Sequence, residues 1–131
     1  GLYLYPGGDT DIESTIIANN TSDGGGGFDL VARAIVTGSH DLIEVPAAAV
    51  PPDTIVATDP LLAPLANNGG PTRTHALMTG SPAIDAGNNV YDAMYDQRGA
   101  PYLRLFGSAA DIGAYEVQPM ASDTIFVNGF E

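Results

Sequence analysis

Short apolar stretches alternate with turn residues along the chain. Six recur: residues 12–18 (IESTIIA), 28–36 (FDLVARAIV), 41–45 (DLIEV), 54–57 (TIVA), 72–78 (TRTHALM) and 112–117 (IGAYEV). Most are closed by Gly, Asn, Asp or Pro. Their Ile, Val, Thr, Leu and Tyr are largely strand formers, because branched and aromatic side chains pack well on a pleated surface. Strict alternation is patchy: Ser14, Ile16 and Ala18 fall on one side, Thr15 and Ile17 on the other. Asn19 and Asn20 end the first stretch, and Asn turns a chain sharply because it tolerates the left-handed conformation. Repeated short strands with polar corners predict a solenoid of about 20 to 25 residues per coil. One short helical turn is expected at residues 59–65, with Asp59 as N-cap, Pro60 in first position and Pro64 as the stop.

Composition narrows the picture. Gly (16) and Pro (10) approach a fifth of the 131 residues, in keeping with many tight turns. Hydrophobic residues make up 44% and charged residues 15%, enough apolar matter for a core and too little charge for a solvating tail. The net charge is −12, and all four basic residues are Arg, so nucleic acid and anionic membrane surfaces are disfavoured partners. Cations and neutral glycans remain compatible. Without Cys there is no disulfide, thiolate metal site or cysteine nucleophile. No apolar run reaches the roughly 18 residues of a transmembrane span. The chain opens at Gly1 without a signal peptide, which reads as a fragment or a processed product.

The run Gly24 to Gly27 reads as a flexible loop; it lacks the Lys-Ser/Thr or G-x-G-x-x-G frame of a phosphate cradle. From Val90 onward the pattern becomes irregular, as terminal repeats of solenoids are. The expected organisation is stacked strands over residues 1–89, an irregular C-terminal cap over 90–117 and a tail over 118–131.

Several phrases carry a resemblance. They are LAPLANNGGPTRTHALMTGSPAIDAG at 62–87, DQRGAP at 96–101, DIGAYE at 111–116, GSHDLIE at 38–44 and IIANN at 16–20. Together they resemble the C-terminal region of bacterial surface proteins of the choice-of-anchor Q, polymorphic-outer-membrane-protein-like type. The resemblance implies an all-β, right-handed parallel β-helix, secreted or displayed on the bacterial cell surface. It implies adhesion or glycan interaction and no established activity. Residues 123–131 (DTIFVNGFE) are similar to a short C-terminal signature of exported proteins, read as a sorting tag or closing strand.

Chemistry is expected around Asp85, Asp96, Arg98, Asp111 and Glu116, which all lie in those phrases. The favoured reading is a structural ion pair of Arg98 with Asp111, while Asp85 bonds turn amides. The alternatives are a Ca²⁺ site built from Asp85, Asp96, Asp111 and Glu116, or an acid–base pair acting on a sugar. Tyr91, Tyr95 and Tyr102 are candidate sugar platforms, and Asn67 and Asn68 candidate hydrogen-bonding amides on a turn. His40 and His75 have no zinc-binding spacing, and Ser81 lacks the G-x-S-x-G setting of hydrolases.

The expected function is a β-helix scaffold or binding module for carbohydrate or partner proteins, with no complete catalytic site. The alternatives are part of a polysaccharide lyase or glycoside hydrolase, or a self-assembling fibre subunit. No cofactor is required, Ca²⁺ apart. The expected partners are glycans, and a further part of the same β-helix or another copy stacked on the open first strand layer, since unpaired backbone edges are normally capped or paired.

Overall fold

A computed structural model describes residues 1–23 and 27–118. Most of the poly-Gly loop and the C-terminal signature at 123–131 therefore lie outside the described residues. Within them the chain is all-β. Seven short strands occur in order: β1 (Leu2–Leu4), β2 (Thr10–Glu13), β3 (Ile16–Ile17), β4 (Leu30–Ala32), β5 (Val36–Ser39), β6 (Leu42–Ile43) and β7 (Ile55–Val56). No described helix is long and apolar enough to cross a membrane.

The strands form three parallel ladders: β1 with β4, β2 with β5, and β3 with β6 and then β7. Leu2 faces Leu30, Thr10 faces Val36 and Ile16 faces Leu42. The step along the chain is the same for the last two pairs and slightly longer for the first. The difference lies in the links: Tyr5 to Asp9 joins β1 to β2, whereas the shorter Arg33 to Ile35 joins β4 to β5. The next step, from Leu42 to Ile55, is only half as long. The first layer thus exceeds the expected coil length and the second falls short of it, because the link lengths set the spacing.

Corners recur with the same period. Ser14 (φ 47°) and His40 (φ 55°) are separated by the same step as Ile16 and Leu42, each between equivalent strands and each left-handed. Asn19 (φ 59°) turns the chain after β3. Gly38 has φ 117° inside β5, and a Cβ there would lie 1.5 Å from the Ile12 carbonyl oxygen, so only glycine fits the approach of β5 to β2. Side chains bond across the same ladder: Thr37 Oγ1 donates to Asp11 Oδ1 (2.8 Å), and Ser39 Oγ to Glu13 Oε1 (2.5 Å).

Two apolar clusters form the core. Leu30, Val36 and Ile43 contribute one side chain from each of β4, β5 and β6, with Leu2, Leu4, Ile12 and Ile17 of the preceding layer packed against them. This cluster therefore draws side chains from all three ladders. The second cluster joins Leu42 to Leu77, Ala83 and Ile112, with Ile16, Ile55 and Leu62 alongside. Ile16, Leu42 and Ile55 are ladder partners and share one face. The C-terminal segment covers that face, so β6 is buried on both sides. Burial on two faces removes the need to alternate, which accounts for the run Leu42-Ile43.

That C-terminal segment is held by isolated antiparallel bridges: Leu62 with Leu77, Ala66 with Thr74, Gly87 with Ala110 and Tyr95 with Leu103. The expected helical turn at 59–65 is absent. Asp59 Oδ1 instead accepts from the Leu61 amide (2.8 Å), and Leu61 takes φ 52°. The Asp side chain makes a local turn rather than a helix cap.

Leu42→Ala should cost about 2–5 kcal/mol in urea denaturation, because Leu42 is fully buried. Ile35→Ala, at a position 63% exposed, should stay within about 0.5 kcal/mol of the parent.

Candidate functional site

Residues 96–99 form a tight turn. The Arg98 amide donates to Asp96 Oδ1 (2.8 Å) and the Gly99 amide to the Asp96 carbonyl (3.0 Å). This turn folds the Arg98 guanidinium back onto the Asp96 carboxylate, with Nε at 2.9 Å and Nη2 at 2.6 Å from Oδ2. Two guanidinium nitrogens thus meet one carboxylate, a strong form of such a pair. Nη2 also donates to the Glu116 carbonyl (2.7 Å). The guanidinium lies against the rings of Tyr102 (4.0 Å) and Tyr115 (3.9 Å), so its faces are covered as well as its edge. Arg98 and Asp96 are both buried. The expected partner is Asp111, and the structure corrects this to Asp96, because the tight turn at 96–99 folds the guanidinium back onto that carboxylate, while Asp111 accepts the amides of Asp85 (2.8 Å) and Val117 (2.6 Å).

The other acids continue the pattern. The Asp111 amide donates to Glu116 Oε2 (2.8 Å), the Phe106 amide to Glu116 Oε1 (2.8 Å) and the Glu116 amide to Asp96 Oδ2 (2.9 Å). Asp85 Oδ1 accepts from the amides of Ser108 (2.9 Å) and Ala109 (3.2 Å), as expected for a turn-bonding carboxylate. Burial pushes the Glu116 carboxyl above its usual range, partly offset by the amides of Asp111 and Phe106. The Ala109 and Ser108 amides hold Asp85 below its usual range. Among the described residues no group of three or more His, Asp or Glu side chains is arranged to hold a metal ion. These carboxylates are engaged by backbone amides and, at Asp96, by Arg98.

Sequence reasoning missed two further buried acids, Asp29 and Asp41. Asp29 accepts from the amides of Asn20 (2.9 Å) and Val45 (2.8 Å). Asp41 Oδ1 accepts from the Thr15 amide (2.8 Å), while its Oδ2 is buried with no hydrogen-bond partner among the described residues. Burial raises the Asp41 carboxyl to about 6; the Thr15 amide opposes this, and Glu13, Asp53 and Asp11 add to it. A signal was present: Asp29, Asp41 and Asp111 each directly precede a buried Leu or Ile.

The other feature is a largely apolar cleft of about 650 Å³ between the strand layers and the C-terminal segment. Tyr91, Tyr95 and Tyr115 line it, with Asn88, Asn89 and Gln97. Two of the expected platforms, Tyr91 and Tyr95, are thus brought together. Tyr102 turns a face to Arg98 instead. Asn67 and Asn68 are committed to their own turn: Asn67 Oδ1 accepts from the Gly69 amide (3.1 Å), and Asn68 Nδ2 donates to the Thr74 carbonyl (2.9 Å). That turn packs on residues 96–101, since a Cβ at Gly70 would lie 2.4 Å from the Arg98 carbonyl oxygen. No family model, curated protein or solved structure matches the chain.

Arg98→Ala strands a buried carboxylate and should cost about 3–5 kcal/mol; Arg98→Lys, which keeps charge but loses the fork and the stacking, should recover only part. Chemical denaturation reads both. A second expectation concerns pH. Folding raises the Asp41 pKa, so its contribution is full below the unfolded value of 3.8 and is lost as pH rises towards about 6. Glu116 acts in the same direction, whereas Asp85 contributes above the ordinary carboxylate range and loses that on acidification. Asp41→Asn should therefore remove roughly 2–3 kcal/mol of the stability change across pH 4–6, read by thermal melts of both proteins.

Proposed function

We propose that this chain belongs to a right-handed parallel β-helix of a secreted or surface-displayed protein, and that it binds carbohydrate in the cleft lined by Tyr91, Tyr95 and Tyr115. The near-constant step between partners in the first layer of three parallel ladders supports the β-helix reading, as does the resemblance of residues 62–116. The observation that carries the function is the cleft itself. Tyr91 is 81% exposed, so its ring face is available to the C–H surface of a sugar. Amides nearby are held in place: Asn89 Nδ2 donates to the Ala93 carbonyl (3.0 Å), and Gln97 Nε2 to Thr72 Oγ1 (2.9 Å). Preorganised polar groups beside aromatic rings suit a ligand of hydroxyls and C–H faces.

Binding is favoured over hydrolysis or elimination. The acids lining the cleft are Glu13 and Asp96. Glu13 is engaged by the Ser39 amide and hydroxyl, and Asp96 by Arg98. Neither has the freedom that an acid–base pair acting on a sugar requires.

A second reading concerns assembly. Among the described residues, β1, β2 and β3 each have a hydrogen-bonded strand neighbour on one side only. Strand edges of this kind accept a further layer, so the chain stacks with another coil through them. Light scattering showing only monomers at high concentration would oppose stacking between copies.

On a glycan array the protein should retain a defined subset of saccharides, and Tyr91→Ala should weaken that retention about tenfold, as loss of one stacking platform does. A blank array, or retention unaffected by Tyr91→Ala, would remove the cleft as the binding site.

A further inference from the structure

The strand layers have two ends, and the ends differ. At one, β1, β2 and β3 each lack a second strand neighbour among the described residues. At the other, β6 carries β7 and β4 meets Pro46. Residues 46–64 hold five of the ten Pro, whereas residues 1–45 hold only Pro6. Proline has no amide to offer, so the layer that contains Pro46, Pro51 and Pro52 is a poor template for another strand. New pairing belongs to the end made by β1, β2 and β3.

β2 is the longest of these open strands. The Thr10 amide donates to the Ile35 carbonyl (3.0 Å) and the Ser14 amide to the Ser39 carbonyl (3.1 Å), both on the β5 side. Successive amides of a strand point to opposite sides, so those of Asp11 and Glu13 face the open edge. Side chains alternate as well. Ile12 is half-buried against Leu30, Val36 and Ile43, and Asp11 and Glu13 leave the strand on the other face. The groups bonded to these two carboxylates are neutral: Thr37 Oγ1 donates to Asp11 (2.8 Å) and the Ser39 amide to Glu13 (3.1 Å). Neither acid forms an ion pair among the described residues. The edge thus joins an apolar position inside to two uncompensated negative charges outside.

A copy of the chain fits this edge badly. Antiparallel pairing of two β2 edges about a two-fold axis would set these carboxylates against each other, and like charges directly opposite destabilise a strand pair. Head-to-tail stacking of copies would need the Pro-bearing layer as template. We infer that the edge takes an extended segment of a different polypeptide, in which aliphatic residues alternate with Lys or Arg. Its backbone pairs with β2, its aliphatic side chains continue the interior beside Ile12, and its basic side chains meet Asp11 and Glu13. This rests on the strand-stacking reading above and narrows it to a partner of opposite charge.

Fluorescence anisotropy tests it with short labelled peptides. One alternates Val and Lys, one alternates Val and Glu, one carries the same Val and Lys in two blocks, and one is the alternating Val–Lys peptide with every amide N-methylated. The block peptide measures the unspecific attraction of Lys to a protein of charge −12. The alternating Val–Lys peptide should bind at least about tenfold more tightly than the other three, because it alone combines alternation, basic charge and free amides. Asp11→Asn keeps the edge amide and should weaken binding about two- to fivefold, as loss of one charge pair across strands does. Asp11→Pro removes the edge amide and should abolish the advantage over the block peptide; the N-methylated peptide reads the same pairing with the protein unaltered. Equal binding of alternating and block peptides, or binding that survives both Asp11→Pro and N-methylation, overturns the inference. Sedimentation of the protein alone should show monomers. Self-association that Asp11→Pro abolishes would overturn the inference while leaving the strand-stacking reading standing. If neither peptides nor copies pair at this edge, both readings fall.

Discussion

Buried carboxylates accepting backbone amides are the interaction on which this fold depends. Seven strands of two to four residues leave much of the backbone without a ladder partner. A buried amide with no acceptor costs as much as a lost hydrogen bond. Asp29, Asp41, Asp96, Asp111 and Glu116 supply acceptors where the strands cannot. Several also link segments distant in sequence: Asp41 reaches Thr15, and Asp111 reaches Asp85. These side chains act as substitutes for strand pairing in the turns.

Such a device has an electrostatic cost. Charge taken out of water is tolerated when hydrogen bonds or an opposite charge replace the solvent. Arg98 provides the opposite charge for Asp96, and two Tyr rings shield the pair. Asp29 and Asp111 rely on amides alone. Asp41 has one oxygen satisfied and one not, with Glu13, Asp53 and Asp11 near enough to raise its pKa further. It is the least compensated acid of the set.

Placement of the C-terminal segment links packing to the cleft. The segment covers the face formed by Ile16, Leu42 and Ile55, and it is tied to the first strand layer through Ser14. The Gly113 amide donates to the Ser14 carbonyl (2.7 Å), and the Asn88 amide to Ser14 Oγ (2.6 Å). Laid this way, it brings Tyr91 and Arg73 into one cleft with Glu13 of β2. The apolar contacts that bury Leu42 thus also build the cleft, since Leu77 and Ile112 belong to both.

Much was legible along the chain: strand-forming stretches at 12–18, 28–36, 41–45 and 54–57, turn-forming Asn19, the turn chemistry of Asn67 and Asn68, and the importance of Arg98. Local propensity and turn residues determine these, because they act within a few positions. Strand β1 (Leu2–Leu4) lies outside those stretches. The tertiary structure alone decided the partner of Arg98, the burial of Asp29 and Asp41, the two-sided covering of Leu42 and the meeting of Tyr91 with Arg73. Those depend on which distant segments touch, and the link lengths between strands set that register in space rather than by local preference.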